Sequence, residues 1–145
     1  MHSCYYLEKK VQWRKYNSLP GNMTMTGLSG LGTEKGVYSF SKTGSAFLPK
    51  GSNTWRPLSS PIPLNFHYSC PVQISKTELL IMGGNPERSY GKQVWKLDIE
   101  KGQWEKLRNM TTARHVFGCS LYRQNGQKPY LLVAGKIIKK AKPDT

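Results

Sequence analysis

An all-β fold assembled from repeated units of about 40 to 50 residues is what the sequence predicts, and three observations predict it. Trp55 and Trp104 are 49 residues apart, and Cys70 and Cys119 are 49 residues apart as well, so two unrelated residue types keep one offset. Trp13 lies 42 residues before Trp55 and is followed by Asn22-Met23-Thr24, a match to the Asn109-Met110-Thr111 that follows Trp104. Between these markers run short apolar segments bounded by Gly, Pro, Asn and Ser, the pattern of strands joined by turns. A period of this length built from short strands is the spacing of a propeller blade.

The elements follow in chain order. Residues 1–44 form the loosest copy, holding Trp13 and Pro20 and ending in Ser41-Lys42-Thr43-Gly44. Residues 45–91 form the second. Ala46-Phe47-Leu48, Trp55 and Pro61 lead into a strand over Ser69 to Ile74, a turn at Ser75-Lys76-Thr77, and a strand over Leu79 to Met82 that closes in Gly83-Gly84. A polar loop, Asn85-Pro86-Glu87-Arg88-Ser89-Tyr90-Gly91, completes it. Residues 92–135 are the best copy. Val94 to Ile99 is a strand, Glu100-Lys101-Gly102 turns the chain, and Gln103 to Leu107 is the outer strand. Phe117, Cys119 and Leu121 then alternate with Gly118, Ser120 and Tyr122, the period-2 signature of a half-buried strand. Asn125-Gly126 is a hairpin signal. The return strand, Tyr130 to Ala134, is apolar throughout, which suits a strand covered on both faces. Residues 136–145 change abruptly to Ile137-Ile138-Lys139-Lys140-Ala141-Lys142 and are expected to be a basic, disordered tail.

A hydrophobic strand ending in a double glycine, an aromatic strand, then a Trp with a Pro or Met and an Arg behind it: this order resembles the kelch repeat. Gly83-Gly84 is the diglycine and Arg114 stands where that family places its Arg; Trp13, Trp55, Trp95 and Trp104 fall at structural repeat positions. The resemblance covers roughly residues 5 to 135. Departures are Ser41-Lys42-Thr43-Gly44 in place of a diglycine, Asn65 where Arg114 aligns, and Gly135-Lys136 at the last strand end. The resemblance implies an incomplete β-propeller arc of about two to three four-stranded kelch blades. Propellers close with 4 to 8 such blades, and an open arc leaves two apolar blade faces in water. The chain is therefore expected to be a piece of something larger, or to close by self-association.

The charge balance, 22 Lys and Arg against 8 Asp and Glu for a formal +14, would fit a polyanion partner. The basic residues are spread along the chain, however, and no base-reading motif accompanies them, so nucleic acid is disfavoured. No apolar run approaches the ~20 residues of a membrane span, and the amino-terminal residues lack the apolar core of a signal peptide. Cys4, Cys70 and Cys119 cannot all pair within one chain, and two of them are repeat equivalents; the expectation is a reduced, cytoplasmic protein. Asn22 and Asn109 open Asn-Met-Thr acceptor patterns, which the repeat itself accounts for.

The shared phase of Trp55 and Trp104 assigns them to packing. Gly83 and Gly84 are expected to turn the chain with positive φ and approach a neighbouring strand, because the following Asn85-Pro86 supplies no phosphate loop. His67 with Cys70 and His115 with Cys119 are the candidate metal or nucleophile pairs. Their spacings, three and four residues, have opposite parity on a strand, and no third orienting group is identifiable. No enzyme activity, metal or cofactor is expected. The kelch resemblance implies instead a non-enzymatic module that presents blade loops to a protein or peptide, as in the substrate-recognition part of ubiquitin-ligase adaptors, whose BTB and BACK domains this chain has no room for. By that resemblance the binding residues are Asn85, Glu87, Arg88, Ser89 and Tyr90 in one loop, and Arg108, Asn109, Thr112 and Arg114 in another. Arg88 with Arg108 would favour an acidic or phosphorylated peptide. The alternative is a basic surface that binds RNA, anionic membrane or acidic filaments such as actin.

Overall fold

A computed structural model describes residues 4–7, 13–24, 26–58, 63, 66–84, 90–123 and 128–137. The described chain is all-β. Its strands, in order, are β1 (Cys4–Leu7), β2 (Trp13–Tyr16), β3 (Ser29–Thr33), β4 (Gly36–Phe40), β5 (Ser45–Pro49), β6 (Arg56–Pro57), β7 (Cys70–Gln73), β8 (Glu78–Met82), β9 (Val94–Asp98), β10 (Gln103–Lys106), β11 (Arg114–Tyr122) and β12 (Tyr130–Ile137). One 3-10 turn, Tyr90–Lys92, precedes β9.

Two complete antiparallel sheets, ordered β3-β4-β5-β6 and β7-β8-β9-β10, are flanked by two-stranded hairpins, β1-β2 and β11-β12. Each expected unit, 1–44, 45–91 and 92–135, thus joins the last strand pair of one sheet or hairpin to the first pair of the next. The Trp marker rides on the last pair and the Cys marker on the first, so a unit that opens on the Trp pair runs out of phase with the sheets.

Alternation along each strand sends side chains into two different cores. Between the two sheets lie Tyr38 and Phe40 of β4, Phe66, Leu79 and Ile81 of β8, and Leu97 of β9, with Trp104 packed against them. The Trp104 ring stacks on Phe66 at 5.2 Å and meets Phe40 edge-on at 6.5 Å, geometries that add to the area they bury. Burial pushes the Tyr38 hydroxyl above its ordinary pKa. On the other face of the first sheet, Ala46, Leu48 and Trp55 pack on Leu19 and Met23. On the other face of the second sheet, Val72, Met82 and Val94 meet Phe117, Cys119 and Leu121 of β11. The layers therefore stack in chain order, and each Trp at the end of a sheet faces the layer before it.

β12 departs from its expected environment. Val133 is half-buried, but Tyr130 and Leu132 are 54% and 55% exposed. Its apolar composition suits a strand covered on both faces, yet one face is open and the other is covered only in part, with Leu131 37% exposed. Asn125-Gly126 and the tail from residue 138 onward lie outside the described residues.

Candidate partner-binding rim

The loops entering β3, β5, β7, β9 and β11 all emerge at one end of the stacked sheets, because every strand pair is antiparallel. Backbone hydrogen bonds tie them into one rim. The Met110 N–H donates to the Lys92 carbonyl at 2.8 Å, Gly83 N–H to Gln93 at 2.8 Å, and Gly84 N–H to Arg114 at 3.0 Å. At its far side the Thr24 N–H donates to Thr43 Oγ1, whose hydroxyl donates to the Asn22 carbonyl.

Gly83 and Gly84 sit at φ +57° and +80°. A Cβ on Gly84 would stand 2.6 Å from the His67 carbonyl oxygen, and one on Gly83 would stand 2.8 Å from the Arg114 oxygen. Both obstacles are backbone, which cannot step aside, so the diglycine is where one layer's strand end passes between the loops of its neighbours.

A second recurring device was not read from the sequence. Gly27 and Tyr68 precede the first strand of a layer and Val116 lies in the irregular register near the start of β11, with φ of +68°, +59° and +49°. Tyr68 N–H donates to the Gly27 carbonyl at 2.7 Å, and Val116 N–H donates to the Tyr68 carbonyl at 3.3 Å. These corners step from layer to layer at spacings of 41 and 48 residues. A Gly, a Tyr and a Val share no side-chain signature, so only their spacing could have exposed them.

The same stacking overturns the expectation of reduced cysteines. Cys70 of β7 and Cys119 of β11 form a disulfide, with Cα atoms 5.9 Å apart, inside the normal range for such a bond. Stacking is the cause. The first strands of successive layers pack side by side, and Cys70 lies on the face of β7 that meets β11 while Cys119 lies on the face of β11 that meets β7. The bridge removes both thiols from any metal or nucleophile role beside His67 or His115. Among the described residues no three His, Cys, Asp or Glu side chains gather at metal-binding distance.

Of the sequence-predicted binding residues, Arg108 and Asn109 are exposed and Thr112 half-buried on the loop between β10 and β11. Tyr90 begins the 3-10 turn that this loop is bonded to. The Arg114 guanidinium donates through Nη1 to the Gly135 carbonyl at 3.2 Å, bracing the β11-β12 hairpin. Asn85, Glu87, Arg88 and Ser89 lie outside the described residues, as does Asn65. Trp95, on β9, is half-buried; its Nε1 donates to Gln93 Oε1 at 2.9 Å, and Lys106 Nζ lies 5.9 Å from its ring centroid. Trp13 opens β2 and pairs with Leu7 in register.

Charge divides along the strand axis. The charged side chains of the described rim are Lys42, Lys92, Arg108 and Arg114, all cations. The described carboxylates lie at mid-strand or at the opposite end, and those of Glu78, Asp98, Glu100 and Glu105 are paired. Lys96 Nζ bridges Glu78 at 3.2 Å and Glu105 at 2.8 Å, Lys101 meets Asp98 at 3.5 Å, and Lys35 meets Glu100 at 3.4 Å. Hydrogen bonds that the Lys96 ammonium donates to Glu105 and Glu78 hold it above its ordinary pKa. Asp98 is held below the usual carboxylate range, first by the Lys101 backbone N–H and also by that of Glu100.

No family model matches the chain, and no curated protein matches it. Among solved structures, that of YjhT is similar over 80% of this chain, with a TM-score of 0.61 at 18% identity. The chain spans 35% of the length of that protein. A likeness at this identity concerns the fold alone. No helix among the described residues is long and apolar enough to cross a membrane.

Proposed function

We propose that the chain is an arc of a kelch-type propeller that binds a protein partner through the rim of loops at the Arg108 end, with a preference for acidic or phosphorylated peptides. The observation that carries this reading is the rim's one-sided charge: Lys42, Lys92, Arg108 and Arg114 with no described carboxylate among them, on loops bonded to one another through their backbones. Rigid loops lower the ordering cost of binding, and Arg supplies the forked donor that carboxylate and phosphate geometry matches. Arg88 and Tyr90 belong to the same surface by the kelch resemblance.

The test is fluorescence anisotropy with matched acidic, phosphorylated and neutral peptides. Arg108→Ala and Lys92→Ala should each weaken the charged peptides about tenfold, the loss of one charge-assisted hydrogen bond, and leave the fold intact. Binding that falls steeply with salt, extends equally to RNA and ignores both substitutions would replace this reading with the general polyanion surface.

The Cys70–Cys119 bridge favours an oxidising compartment over the cytoplasmic location expected from the cysteine count. A ubiquitin-ligase adaptor would work in the reducing cytoplasm, where that bridge would be opened. Counting free thiols in the protein isolated under alkylating conditions separates the two: one for the bridged form, three for the reduced.

A further inference from the structure

Two Asn-Met-Thr triplets occupy the same place in the repeat, Asn22-Met23-Thr24 in the loop leading to β3 and Asn109-Met110-Thr111 in the loop leading to β11. The structure explains the methionine in each. Met23 is buried with Leu19, Ala46, Leu48 and Trp55, and its N–H donates to the Pro20 carbonyl at 3.0 Å. Met110 packs against the cluster of Val72, Met82 and Val94, and its N–H donates to the Lys92 carbonyl at 2.8 Å. Each Met pins its loop to the layer beside it. The repeat thus accounts for the Met of the triplet and leaves the Asn and Thr on either side of it to be explained.

The two triplets differ in what surrounds those polar residues. Asn109 and Thr111 are both exposed while Met110 between them is half-buried, the alternation that sets positions i and i+2 on one side of an extended segment. Among the described residues, no hydrogen bond engages the side chain of Asn109 or of Thr111. Amide and hydroxyl therefore stand free together, on a loop whose backbone is held in place. The Asn22 copy is closed. Thr43 Oγ1 accepts from the Thr24 N–H at 2.9 Å and donates to the Asn22 carbonyl at 2.6 Å, and the Thr24 hydroxyl is buried. The Asn22 amide nitrogen lies against the same turn, 3.9 Å from where a Cβ on Gly44 would stand.

We propose that Asn109 carries an N-linked glycan, and that of the two Asn-Met-Thr acceptors it is the one the folded chain presents. This rests on the oxidising-compartment part of the reading above. Two independent observations meet here. Asn109-Met110-Thr111 is an acceptor pattern on a surface loop, and the Cys70–Cys119 bridge belongs to the compartments where disulfides persist, among them the lumen in which such acceptors are modified. In the transfer, the Asn109 side-chain nitrogen bonds to the anomeric carbon of an oligosaccharide carried on a lipid diphosphate. The bond from that carbon to the diphosphate oxygen breaks, the lipid diphosphate leaves with the electron pair, and the amide gives up one proton to a base of the transferase. No electrons are gained or lost, and the exposed Thr111 hydroxyl is free to bond the transferase and hold the acceptor segment.

The position has a consequence for the rim. Asn109 follows β10, the edge strand of its sheet, so the glycan stands at the outer border of the proposed binding surface, next to Arg108. A bulky, solvated group there leaves room for a slender peptide and obstructs a broad folded partner.

The first test uses the protein isolated from its source under alkylating conditions. Enzymatic release of N-glycans in heavy-oxygen water converts a glycosylated asparagine to labelled aspartate. Mass spectrometry of the tryptic peptide from Asn109 to Arg114 should show the label at position 109, with Asn22 unlabelled and unmodified. The second test uses the full 145-residue chain, secreted from a eukaryotic cell behind a cleavable leader. Asn109→Gln and Thr111→Ala should each abolish the gel shift on glycan release, whereas Thr111→Ser should retain it and Asn22→Gln should leave it unchanged. All four positions are away from the buried cores or conservative in size, and circular dichroism checks that each variant folds. A bare Asn109 in the native protein, a glycan on Asn22, or a shift that survives Thr111→Ala overturns the inference. The thiol count separates the two levels of failure. One free thiol with a bare Asn109 sinks this inference alone, whereas three free thiols with a bare Asn109 sink the oxidising compartment as well.

Discussion

Opening the Cys70–Cys119 bridge should cost this protein about 4 kcal/mol. The bond closes a loop across a separation of 49 residues, and the chain-entropy relation applied to a loop of that length gives a loss of about 14 cal/mol/K, or ~4 kcal/mol at 25 °C. Little native strain offsets it, because β7 and β11 already pack together and Cys119 lies against the Pro71 carbonyl. For a domain of this size, that is a fall in melting temperature on the order of 10 °C. The measurement is a pair of melts with and without a phosphine reductant at fixed protein concentration, since association shifts apparent stability. The Cys70→Ala/Cys119→Ala double variant should melt near the reduced protein and be indifferent to reductant. Three free thiols in the untreated denatured protein, or melts that superimpose, would refute the reasoning that the packing of β11 on β7 brings these two sulfurs together.

Other consequences are smaller and equally direct. Val116 is β-branched, holds φ +49° and is 58% exposed, so Val116→Gly should release strain of about 1 kcal/mol and raise the urea midpoint; a clear drop would show that the corner is not strained. Gly84→Ala should destabilise by roughly 2 kcal/mol or more, because φ +80° and the His67 carbonyl at 2.6 Å both oppose a Cβ; a neutral variant would mean that the two loops part freely. The lowered Asp98 pKa predicts stability that is present above the ordinary carboxylate value and lost as pH falls through the depressed one, so the acid limb below pH ~4 should be shallower in Asp98→Ala. The raised Lys96 pKa acts on the alkaline side, with stability present below its ordinary value and lost as pH rises through the raised one; Lys96→Met should flatten that limb.

The all-β class was legible in the sequence because it rests on local information. Phe117, Cys119 and Leu121 alternate with Gly118, Ser120 and Tyr122, and β11 has that alternation of half-buried and exposed residues. The continuous apolar run of β8 becomes a strand with Leu79 and Ile81 in one core and Met82 in another. Alternation and apolar runs record which faces of a strand are covered, and each can be read without knowing what covers them. The candidate rim was legible only in part. The spacing of Arg108, Asn109 and Thr112 after Trp104 located one loop, while the loop from Asn85 to Ser89 falls outside the described residues.

The rest depended on which layer lies against which. That Cys70 meets Cys119, that the corners at Gly27, Tyr68 and Val116 bond in series, and that Tyr130 and Leu132 lie open on an apolar strand all follow from the stacking of the sheets. None of these contacts leaves a mark on neighbouring residues in the chain. Composition and period determined what this protein is built from. The tertiary structure alone decided which equivalent positions touch, because contact between successive layers depends on how sheets stack in space and not on the residues within any one strand.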